Sequence, residues 1–533
     1  MNFLFKYRLG WWNTYFIGKL FLYWKGTIGF HPVENLIFLA LLAWPLESRR
    51  WRLLRTSLAI PMAIVLLYYD SWLPKISRVL SQASLLKSFD STYLVELIGR
   101  FINIQIIAIL ALLLFLYWLS SRWIRIGVLV FGSIIASLLA QMNIDSAASS
   151  QTSPVVAASP GARTTTVASV NDVLGSFFAE EKHRKVAFPK ASGNNPFDLI
   201  FIHICSLSWD DLAAVGLDTH PIWKKLDITL TQFNSAATYS GPASVRLLRA
   251  PCGQESHSDL YSPAPQGCYL LEDLRDAGFT TSVALNHDGH FEEFLKLVEK
   301  QHINRPPLPL EHIAISQHAF DDSPIFDDYA VLSNWLAQRN KQPDARMALY
   351  YNTISLHDGN KLVGHPDSEN SHQTYRFRVS RLLDELDHFI TDLDSTNRRA
   401  VVIIVPEHGA AYRGDKMQIA GLREIPSPAI TLVPVGMKIV GAHAPRLGGN
   451  VTVGESSSYL ALSQIVANLI RTSPFDKPSG YRPADYVQDI PATPFVAQQG
   501  DQSIVNYKGQ YFLQQDNNGP WTLYDTRLNR PGF

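Results

Sequence analysis

Residues 401–406, Val-Val-Ile-Ile-Val-Pro, form an unbroken apolar run that is followed directly by Glu407 and His408. A run without polar alternation is typical of a strand buried on both faces of a parallel sheet. A second such run, residues 198–204, ends at Cys205. Functional groups of open α/β sheets lie at the carboxyl ends of the strands, and carboxylate, imidazole and thiolate all bind Zn²⁺. The two strand ends therefore predict one shared metal site, although a Glu-His pair alone is also common in solvated loops.

The first 141 residues differ from the rest of the chain because they contain long apolar segments. A helix that crosses a membrane needs about 20 mostly apolar residues. Lys19 and Lys25 interrupt the first candidate, and the second is short. The five candidate spans are residues 12–30, 32–46, 55–73, 100–120 and 123–141. These segments predict an N-terminal five-helix transmembrane bundle.

Basic residues precede the first segment and lie between the second and third and between the fourth and fifth segments. They are Lys6, Arg8, Arg49, Arg50, Arg52, Arg55, Arg122 and Arg125. The positive-inside rule is obeyed if all of them are cytoplasmic, and residues 142–162 contain no Lys or Arg. No small-residue cleavage site of a signal peptide follows the first segment. An odd number of spans then places the C-terminal domain outside the cytoplasm.

The three cysteines fit an oxidising compartment. Cys252 and Cys268 lie in a stretch rich in Gly, Pro and Ser and predict a disulfide, with two free thiols as the alternative. Closing a loop of this length stabilises a fold by roughly 3 kcal/mol on the chain-entropy model. Cys205 has no predicted disulfide partner. It is either a small buried core residue or a metal-binding or reactive thiol.

The exported part is predicted to contain three regions. Residues 142–170 are a flexible linker rich in Ser, Ala and Thr, residues 171–480 a catalytic domain, and residues 481–533 a C-terminal tail that is either a hairpin or partly disordered. Strands are predicted at 198–204, 228–233, 281–285, 346–354, 400–406 and 429–440. Helices are predicted at 171–185, 210–215, 243–249, 269–277, 290–300, 327–338, 373–393 and 457–471. This alternation predicts an α/β/α domain with a largely parallel sheet.

Lys+Arg and Asp+Glu both number 47, so no basic excess indicates nucleic-acid binding.

Two further positions follow strands and carry candidate chemistry. Ser240 stands in Tyr-Ser-Gly-Pro-Ala, a loop that enters a helix, where backbone N–H groups favour an anionic phosphoryl group. It is either a simple helix cap or a nucleophile activated by a metal. His357 is either a loop histidine bonded to Asp358 or a catalytic group that Asp358 orients.

Several other polar residues are given non-catalytic interpretations. We expect His203 to be a satisfied core histidine, and His287 and His290 to lie on surface loops near the pocket rim. Arg246 and Arg249 form one helical stripe that either holds phosphate or faces solvent.

Together these residues resemble the alkaline phosphatase superfamily and, within it, the membrane-anchored phosphoethanolamine transferases, in particular those that modify cellulose. The motifs that carry the resemblance are His-Ile-Cys-Ser-Leu-Ser-Trp-Asp-Asp at 203–211, Tyr-Ser-Gly-Pro-Ala at 239–243, Leu-His-Asp-Gly-Asn at 356–360, Val-Pro-Glu-His-Gly at 405–409, Gly-Trp-Trp-Asn-Thr-Tyr-Phe at 10–16 and Gly-Phe-His-Pro at 29–32. The resemblance extends from the membrane segment to about residue 470. The wider transferase group has threonine at the position of Ser240 and usually an acidic residue at that of Cys205, which favours the cellulose branch.

The resemblance implies a multi-pass protein of the bacterial inner membrane with its catalytic domain in the periplasm. It implies that phosphatidylethanolamine is the donor, that glucosyl 6-hydroxyls of cellulose are the acceptor, and that subunits of a cellulose synthase complex are partners. Ser240 matches the family nucleophile and His357 a catalytic histidine. Cys205, Glu407 and His408, with Ser240, match the ligands of one Zn²⁺, and Cys252 and Cys268 match a disulfide.

Two other functions compete with this one. A membrane-anchored phosphodiesterase or other hydrolase of the same fold would use water in place of the sugar hydroxyl. A sulfatase needs an arginine after Ser240 at an offset where this sequence has none. A non-catalytic envelope scaffold is disfavoured because all five site residues are present.

Overall fold

In the computed structural model, the chain divides into two compact units. One contains residues 1–84 and 97–167, and the other contains residues 85–96 and 168–533. The structure describes residues 9–25, 28–46, 48–71, 90–100, 104–120, 126–150, 170–342, 346–366, 369–442, 445–517 and 519–525. The predicted cytoplasmic residues Lys6, Arg8, Arg122 and Arg125, and residues 151–169 of the predicted linker, lie outside these ranges.

The N-terminal unit is helical. Its helices are α1 (Trp12–Trp24), α2 (Pro32–Ala43), α3 (Arg49–Tyr69), α5 (Ile104–Ser120) and α6 (Ile126–Ser150), and α4 (Ser91–Arg100) runs from the second unit into this one. α1 packs against α5 and α6, and α2 packs against α3 and α6. Phe16, Phe38 and Ile134 are buried at the centre.

Three features of this unit differ from the sequence prediction. α3 begins at Arg49 rather than at residue 55, so the arginines lie in the helix itself. α4 was not predicted, and α6 continues to Ser150, so the first residues of the predicted linker are helical. Among the described residues, α3 alone combines membrane-spanning length with sufficient hydropathy, while Pro32–Ala43, Ile104–Ser120 and Ile126–Leu139 are shorter apolar helices. The number of spans therefore stays a prediction.

The second unit is built around a seven-stranded sheet of order β10-β2-β9-β8-β1-β6-β3. Its strands are β1 (Asp198–Ile204), β2 (Ile228–Asn234), β3 (Thr280–Leu285), β6 (Met347–Thr353), β8 (Ala400–Pro406), β9 (Leu432–Val440) and β10 (Val451–Val453). Every pairing is parallel except those of β9, which runs antiparallel to both β8 and β2. The sheet is thus mixed but mostly parallel.

Helices cover both faces of this sheet, which confirms the α/β/α layering. They are α8 (Trp209–Val215), α9 (Pro221–Lys225), α10 (Ser240–Leu248), α11 (Leu270–Asp276), α12 (Phe294–Glu299), α13 (Asp328–Arg339), α14 (Ser371–Ser395), α15 (Pro428–Thr431) and α16 (Tyr459–Arg471). α7 (Val170–Glu181) packs instead against Val496 and Val505. On β1, Leu199 and Phe201 pack with α10, α11, α12 and α16, whereas Ile200 and Ile202 pack with α13 and α14. Burial on both faces explains why β1, β6 and β8 are continuous apolar runs.

Two smaller sheets flank the large one. β4 (Ile315–His318), β5 (Pro324–Phe326) and β7 (Lys361–Leu362) form a three-stranded sheet. β11 (Val496–Gln499), β12 (Gln502–Tyr507), β13 (Gln510–Gln514) and β14 (Trp521–Leu523) form a four-stranded antiparallel sheet. The predicted C-terminal tail therefore contains a sheet with its own core, which includes Phe495, Ile504 and Leu513, while Tyr481 and Tyr486 pack into the core of the large sheet.

The predicted disulfide is present between Cys252 and Cys268, whose Cα atoms are 5.2 Å apart. Cys252 lies four residues beyond the end of α10, and Cys268 lies just before α11. The bridge therefore ties together two helices that cover the same face of the sheet. Cys205 forms no disulfide and is buried.

Candidate metal centre and active site

The candidate site lies at the carboxyl edge of the large sheet. Because β1, β2, β6 and β8 run in the same direction, their carboxyl ends share this edge. Cys205 follows β1, and Glu407 and His408 follow β8. The Glu407 N–H donates to Ile204 O at 2.8 Å, and the Cys205 N–H donates to Thr353 O at 3.0 Å. These bonds extend the strand pairing and fix the three side chains as neighbours.

Three candidate ligands meet in one cluster. The ligand atoms of Cys205, Glu407 and His408 all lie within 4.8 Å of one another, and all three residues are buried. His408 Nε2 is 3.9 Å from Cys205 Sγ and 3.7 Å from Glu407 Oε2. Ser240 Oγ is 3.4 Å from Cys205 Sγ. The structure therefore brings together all four predicted ligands.

This donor set fits a tetrahedral zinc ion. Zinc–ligand bonds of about 2.0–2.3 Å imply ligand–ligand separations of roughly 3.3–3.8 Å, close to those observed. Glu407 Oε2 is buried and accepts no hydrogen bond from any described residue. His408 Nδ1 lies 2.9 Å from Gly409 O, so Nδ1 carries the proton and Nε2 keeps a lone pair for a metal.

The electrostatics of the cluster also suit a cation. Burial raises the pKa of the Cys205 thiol to about 12 and that of the Glu407 carboxyl to about 7. Burial, followed by the charge of Arg423, lowers the pKa of His408. Without a cation, the three groups are thus driven towards their neutral forms. A divalent ion would compensate the buried charges and displace their protons.

Ser240 is the first residue of α10 and is partly exposed. The N-cap position is Tyr239, whose side chain makes no capping hydrogen bond. Ser240 is therefore not the N-cap residue, which weakens the interpretation of this serine as a simple cap. Its hydroxyl lies 3.4 Å from Cys205 Sγ, at the end of a helix where N–H groups have no intrahelical partner.

His357 lies in the loop after β6 and is partly exposed. Its Nδ1 is 2.7 Å from the backbone oxygen of Asp358, so Asp358 orients the imidazole through its carbonyl group rather than its carboxylate. Arg378 fixes the same loop from α14 by donating to the backbone oxygens of His357 and Ser355 at 2.9 and 3.0 Å. Burial and the charge of Arg423 lower the pKa of His357 to about 4. The imidazole is therefore neutral at pH 7.

A buried polar network supports Glu407 from behind. Asn352 donates to Glu407 Oε1 at 2.6 Å, and the Asn352 side-chain oxygen lies 2.9 Å from His287 Nε2. His203 Nδ1 is 3.2 Å from the Tyr350 hydroxyl and 3.5 Å from Glu407 Oε1. This network occupies one carboxylate oxygen and leaves the other facing the cluster.

Two histidine predictions need correction here. His203 is buried but not fully satisfied, because its Nε2 has no hydrogen-bond partner among the described residues. His287 is buried against Asn352 rather than exposed on a loop. His290 is exposed as predicted and pairs with Asp288 and Asp321.

Arg246 and Arg249 are also placed differently from the prediction. Arg246 lies in the last turn of α10 and Arg249 is its C-cap residue, roughly 9 and 14 Å along the helix axis from Ser240. Both are buried: Arg246 donates to Glu255 O, and Arg249 pairs with the Glu255 carboxylate at 2.7 Å. They therefore neither face solvent nor reach the candidate site.

The loop after His408 is fixed by α8. Ser208 and Asp211 form a capping box at the start of this helix. The Asp211 carboxylate also accepts from the N–H groups of Ala410 and Tyr412 at 2.7 and 3.0 Å. Gly409 permits this close approach, since a Cβ atom there would lie 2.7 Å from Asp211 Oδ2.

Sequence reasoning missed Arg423. Its Nη1 donates to Ser206 Oγ at 3.1 Å and lies 3.3 Å from His408 Nδ1. The guanidinium also stands 5.2 Å from the centre of the Tyr239 ring. Gln418 and Ile425 exchange two hydrogen bonds that close the loop carrying Arg423, and Ile425 packs into the core of the C-terminal sheet. The signal in the sequence was weak because this loop has no regular pattern.

The fold and the site define a mostly parallel α/β protein with a buried Cys-Glu-His cluster and an adjacent serine. Residues 12–139 match the family described as Cellulose biosynthesis protein BcsG N-terminal domain, and residues 155–521 match its C-terminal domain. The chain belongs to this family.

Curated relatives agree with this assignment. Cellulose biosynthesis protein BcsG of Salmonella typhimurium is 37% identical over 540 residues, and that of Escherichia coli is 37% identical over 548 residues. Each comparison covers 96% of this chain and 96% of the relative.

Solved structures show a weaker likeness. A Vibrio parahaemolyticus protein of the alkaline phosphatase superfamily gives a TM-score of 0.44 at 12% identity, covering 67% of this chain and 88% of the other. Lipooligosaccharide phosphoethanolamine transferase A of Neisseria meningitidis gives a TM-score of 0.41 at 13% identity, covering 85% and 95%.

Proposed function

We propose that this protein transfers phosphoethanolamine from phosphatidylethanolamine to glucosyl 6-hydroxyls of cellulose through a phosphoethanolamine-serine intermediate. The observation that carries the proposal is the position of the Ser240 hydroxyl, at a helix N-terminus and 3.4 Å from the thiol of the buried cluster. The names of the curated relatives support a role in cellulose biosynthesis. The motif resemblance supports the donor.

A zinc ion bound by Cys205, Glu407, His408 and Ser240 would lower the pKa of the serine hydroxyl and stabilise negative charge on the phosphoryl oxygens. Zinc is proposed over harder cations because a thiol belongs to the donor set. Arg423, adjacent to His408, would add a fixed positive charge to the same site.

In the first step, neutral His357 takes the proton of the Ser240 hydroxyl as Oγ attacks phosphorus, and the bond from phosphorus to the diacylglycerol oxygen breaks. His357 then gives this proton to the leaving oxygen. In the second step, the sugar hydroxyl gives its proton to His357 as it attacks the phosphoryl-serine, the bond from phosphorus to Ser240 Oγ breaks, and His357 returns the proton to Ser240 Oγ. His357 suits this exchange because Asp358 O fixes its Nδ1 and leaves Nε2 for the substrate.

The proposal includes a place in the cell. A donor that resides in the bilayer explains why the catalytic unit follows an apolar helical unit, since tethering raises the effective concentration of the lipid at the site. We propose that the protein crosses the bacterial inner membrane several times, with the catalytic unit in the periplasm. Subunits of a cellulose synthase complex are the partners that this location favours.

The intact mass of the full-length protein after incubation with phosphatidylethanolamine vesicles tests the proposal. We expect a phosphoethanolamine adduct on the wild type and none on Ser240→Ala. Ser244→Ala is the matched control, because Ser244 lies on the same helix but its hydroxyl contacts Tyr350, and it should keep the adduct. Adding cello-oligosaccharide should then discharge the adduct to the sugar. Discharge to water alone would instead favour the phosphodiesterase.

A further inference from the structure

A short segment from the first 141 residues is part of the catalytic unit. Residues 85–96 group with the sheet domain, and residues 90–96 are described. The segment lies between the apolar stretches 55–73 and 100–120, so the predicted topology places it on the same side of the membrane as the catalytic domain. A loop of the membrane region is therefore available to the active site.

Three contacts hold this segment in place. The Asp90 N–H donates to Phe320 O at 3.0 Å, and Lys361 pairs with the Asp90 carboxylate. Tyr93 is 9% exposed and its ring packs 5.9 Å from that of Phe320. Together with Ile325 these side chains form a small hydrophobic core that is separate from those flanking the large sheet.

The Tyr93 hydroxyl reaches the loop that carries His357. It donates to Asp358 Oδ2 at 3.1 Å, while the backbone oxygen of Asp358 meets His357 Nδ1 at 2.7 Å. Asp358 thus links Tyr93 to the imidazole within one residue. Phe320 provides a second link, because its ring lies 5.3 Å from the His357 ring and also contacts Tyr93.

The next residue of the loop is adapted to this contact. Gly359 has φ +82°, in the left-handed region. A Cβ atom at Gly359 would lie 2.6 Å from Phe320 Cβ and 2.9 Å from Tyr93 Cε2. Only glycine combines this backbone conformation with so close an approach. On its other side the loop is fixed by α14, where Ser371 Oγ accepts from the Gly359 N–H at 2.8 Å.

We propose that Tyr93 is a positioning residue for the transfer reaction, whose contacts with Asp358 and Phe320 hold His357 in its productive orientation. This inference rests on the proposed function, because it assigns Tyr93 a task in that reaction. The contacts of Tyr93 with Asp358 and Phe320 lead to the loop of His357. It acts through His357, and a small misplacement of a catalytic group lowers the rate strongly.

The test uses the full-length protein, with an intact zinc content, and a chromogenic phosphoethanolamine ester as the substrate. Tyr93→Phe removes the hydroxyl and keeps the ring. We expect kcat to fall about tenfold, with KM changed less than about twofold. Val95→Ala is the matched control on the same segment, because Val95 is 70% exposed, and it should match the wild type. The unfolding temperature and bound zinc should be the same in all three proteins.

Two further variants separate positioning from a merely structural role. In a His357→Ala background, Tyr93→Phe should have no additional effect, because the group through which it acts is gone. Asp358→Leu should lower kcat as Tyr93→Phe does, and the double variant should be no slower than the slower single variant. Asp358→Asn, which keeps an oxygen acceptor, should restore most of the rate.

Unchanged kcat in Tyr93→Phe would overturn the proposal. So would a further loss of kcat when Tyr93→Phe is added to His357→Ala. Turnover of the chromogenic ester measures the reaction at phosphorus, and this measurement does not depend on which acceptor the protein uses naturally. Failure of the wild type to form a lipid-derived adduct would therefore reject the proposed donor without changing the result for Tyr93.

Discussion

At the residue scale, the site depends on groups that hold the ligands as much as on the ligands themselves. Asn352 makes a 2.6 Å hydrogen bond to Glu407 Oε1 and is in turn held by His287. Partners of this kind orient a metal ligand, and their loss typically costs 10–100-fold in affinity.

We therefore expect Asn352→Leu to weaken zinc binding about tenfold or more, because Glu407 Oε1 would be left buried without its donor. Competition with a chromogenic chelator measures this affinity. Asn286→Leu is the matched control: Asn286 is equally buried but bonds to Asp328, Thr353 and Ser355. It should reduce stability and leave the zinc affinity unchanged. Equal zinc affinities of Asn352→Leu and the wild type would contradict the supporting role.

The pKa of His357 leads to a prediction about pH. Burial and Arg423 lower this pKa to about 4, against about 6.5 for an ordinary histidine. A lowered pKa keeps the imidazole neutral as the pH falls, so the base should remain active from pH 7 down to about 5. We expect kcat for the chromogenic ester to vary less than about twofold in that range, with bound zinc measured at each pH. A loss of activity centred near pH 6.5 at constant zinc content would show that the shift is absent.

At the element scale, the sequence predicted the long strands of the large sheet well and the short strands poorly. β1 and β8 were predicted with their observed ends because burial on both faces makes them apolar throughout. β10 and the strands of the two small sheets have two to six residues and no such pattern. Residues 429–431 were assigned to a strand but are helical, since Pro428 opens a helical turn before β9.

The candidate site was predictable wherever a strand placed its residue. Cys205, Glu407 and His408 directly follow strands, so topology alone brings them together. Arg423 and Tyr93 were missed because long-range packing positions them: one lies in an irregular loop against the C-terminal sheet, the other on a segment far away in sequence. A local pattern carries no information about such contacts.

The disulfide connects the segment after α10 to the start of α11, and either mutation or reduction removes this connection. Cys252 and Cys268 close a loop with a sequence separation of 16, and we expect Cys252→Ser/Cys268→Ser to lower the free energy of unfolding by about 3 kcal/mol. Denaturant unfolding of the catalytic unit within the full-length protein measures this change. A reducing agent should lower the stability of the wild type similarly and leave the double variant unaffected. A reductant effect on the double variant would point to Cys205 instead.

At the scale of the whole molecule, a net charge of zero hides two differently built units. Two charged residues of the N-terminal unit, Lys19 and Asp70, are buried. Lys19 interrupts the first apolar segment, yet its Nζ lies 2.6 Å from the Asp70 carboxylate and 2.9 Å from Asn35 Oδ1. Asn35 also donates to Asp70, and His31 pairs with it. The group links the first three helices, because Lys19 lies in α1, Asn35 lies in α2 and Asp70 is the C-cap residue of α3.

We expect the effect of changing one charged residue of this group to depend on whether its partner is still present. Asp70→Leu leaves Lys19 as an unpaired buried cation, and we expect a loss of about 3–5 kcal/mol, seen as a lower unfolding temperature of the full-length protein in detergent. Lys19→Met/Asp70→Leu removes both charges and should lose clearly less, because replacing a buried ion pair with apolar groups is often nearly neutral. Lys25→Met changes an exposed lysine at the end of the same helix and should have no effect. If the double variant were as unstable as Asp70→Leu, the loss would arise from packing at Asp70 rather than from the unpaired charge.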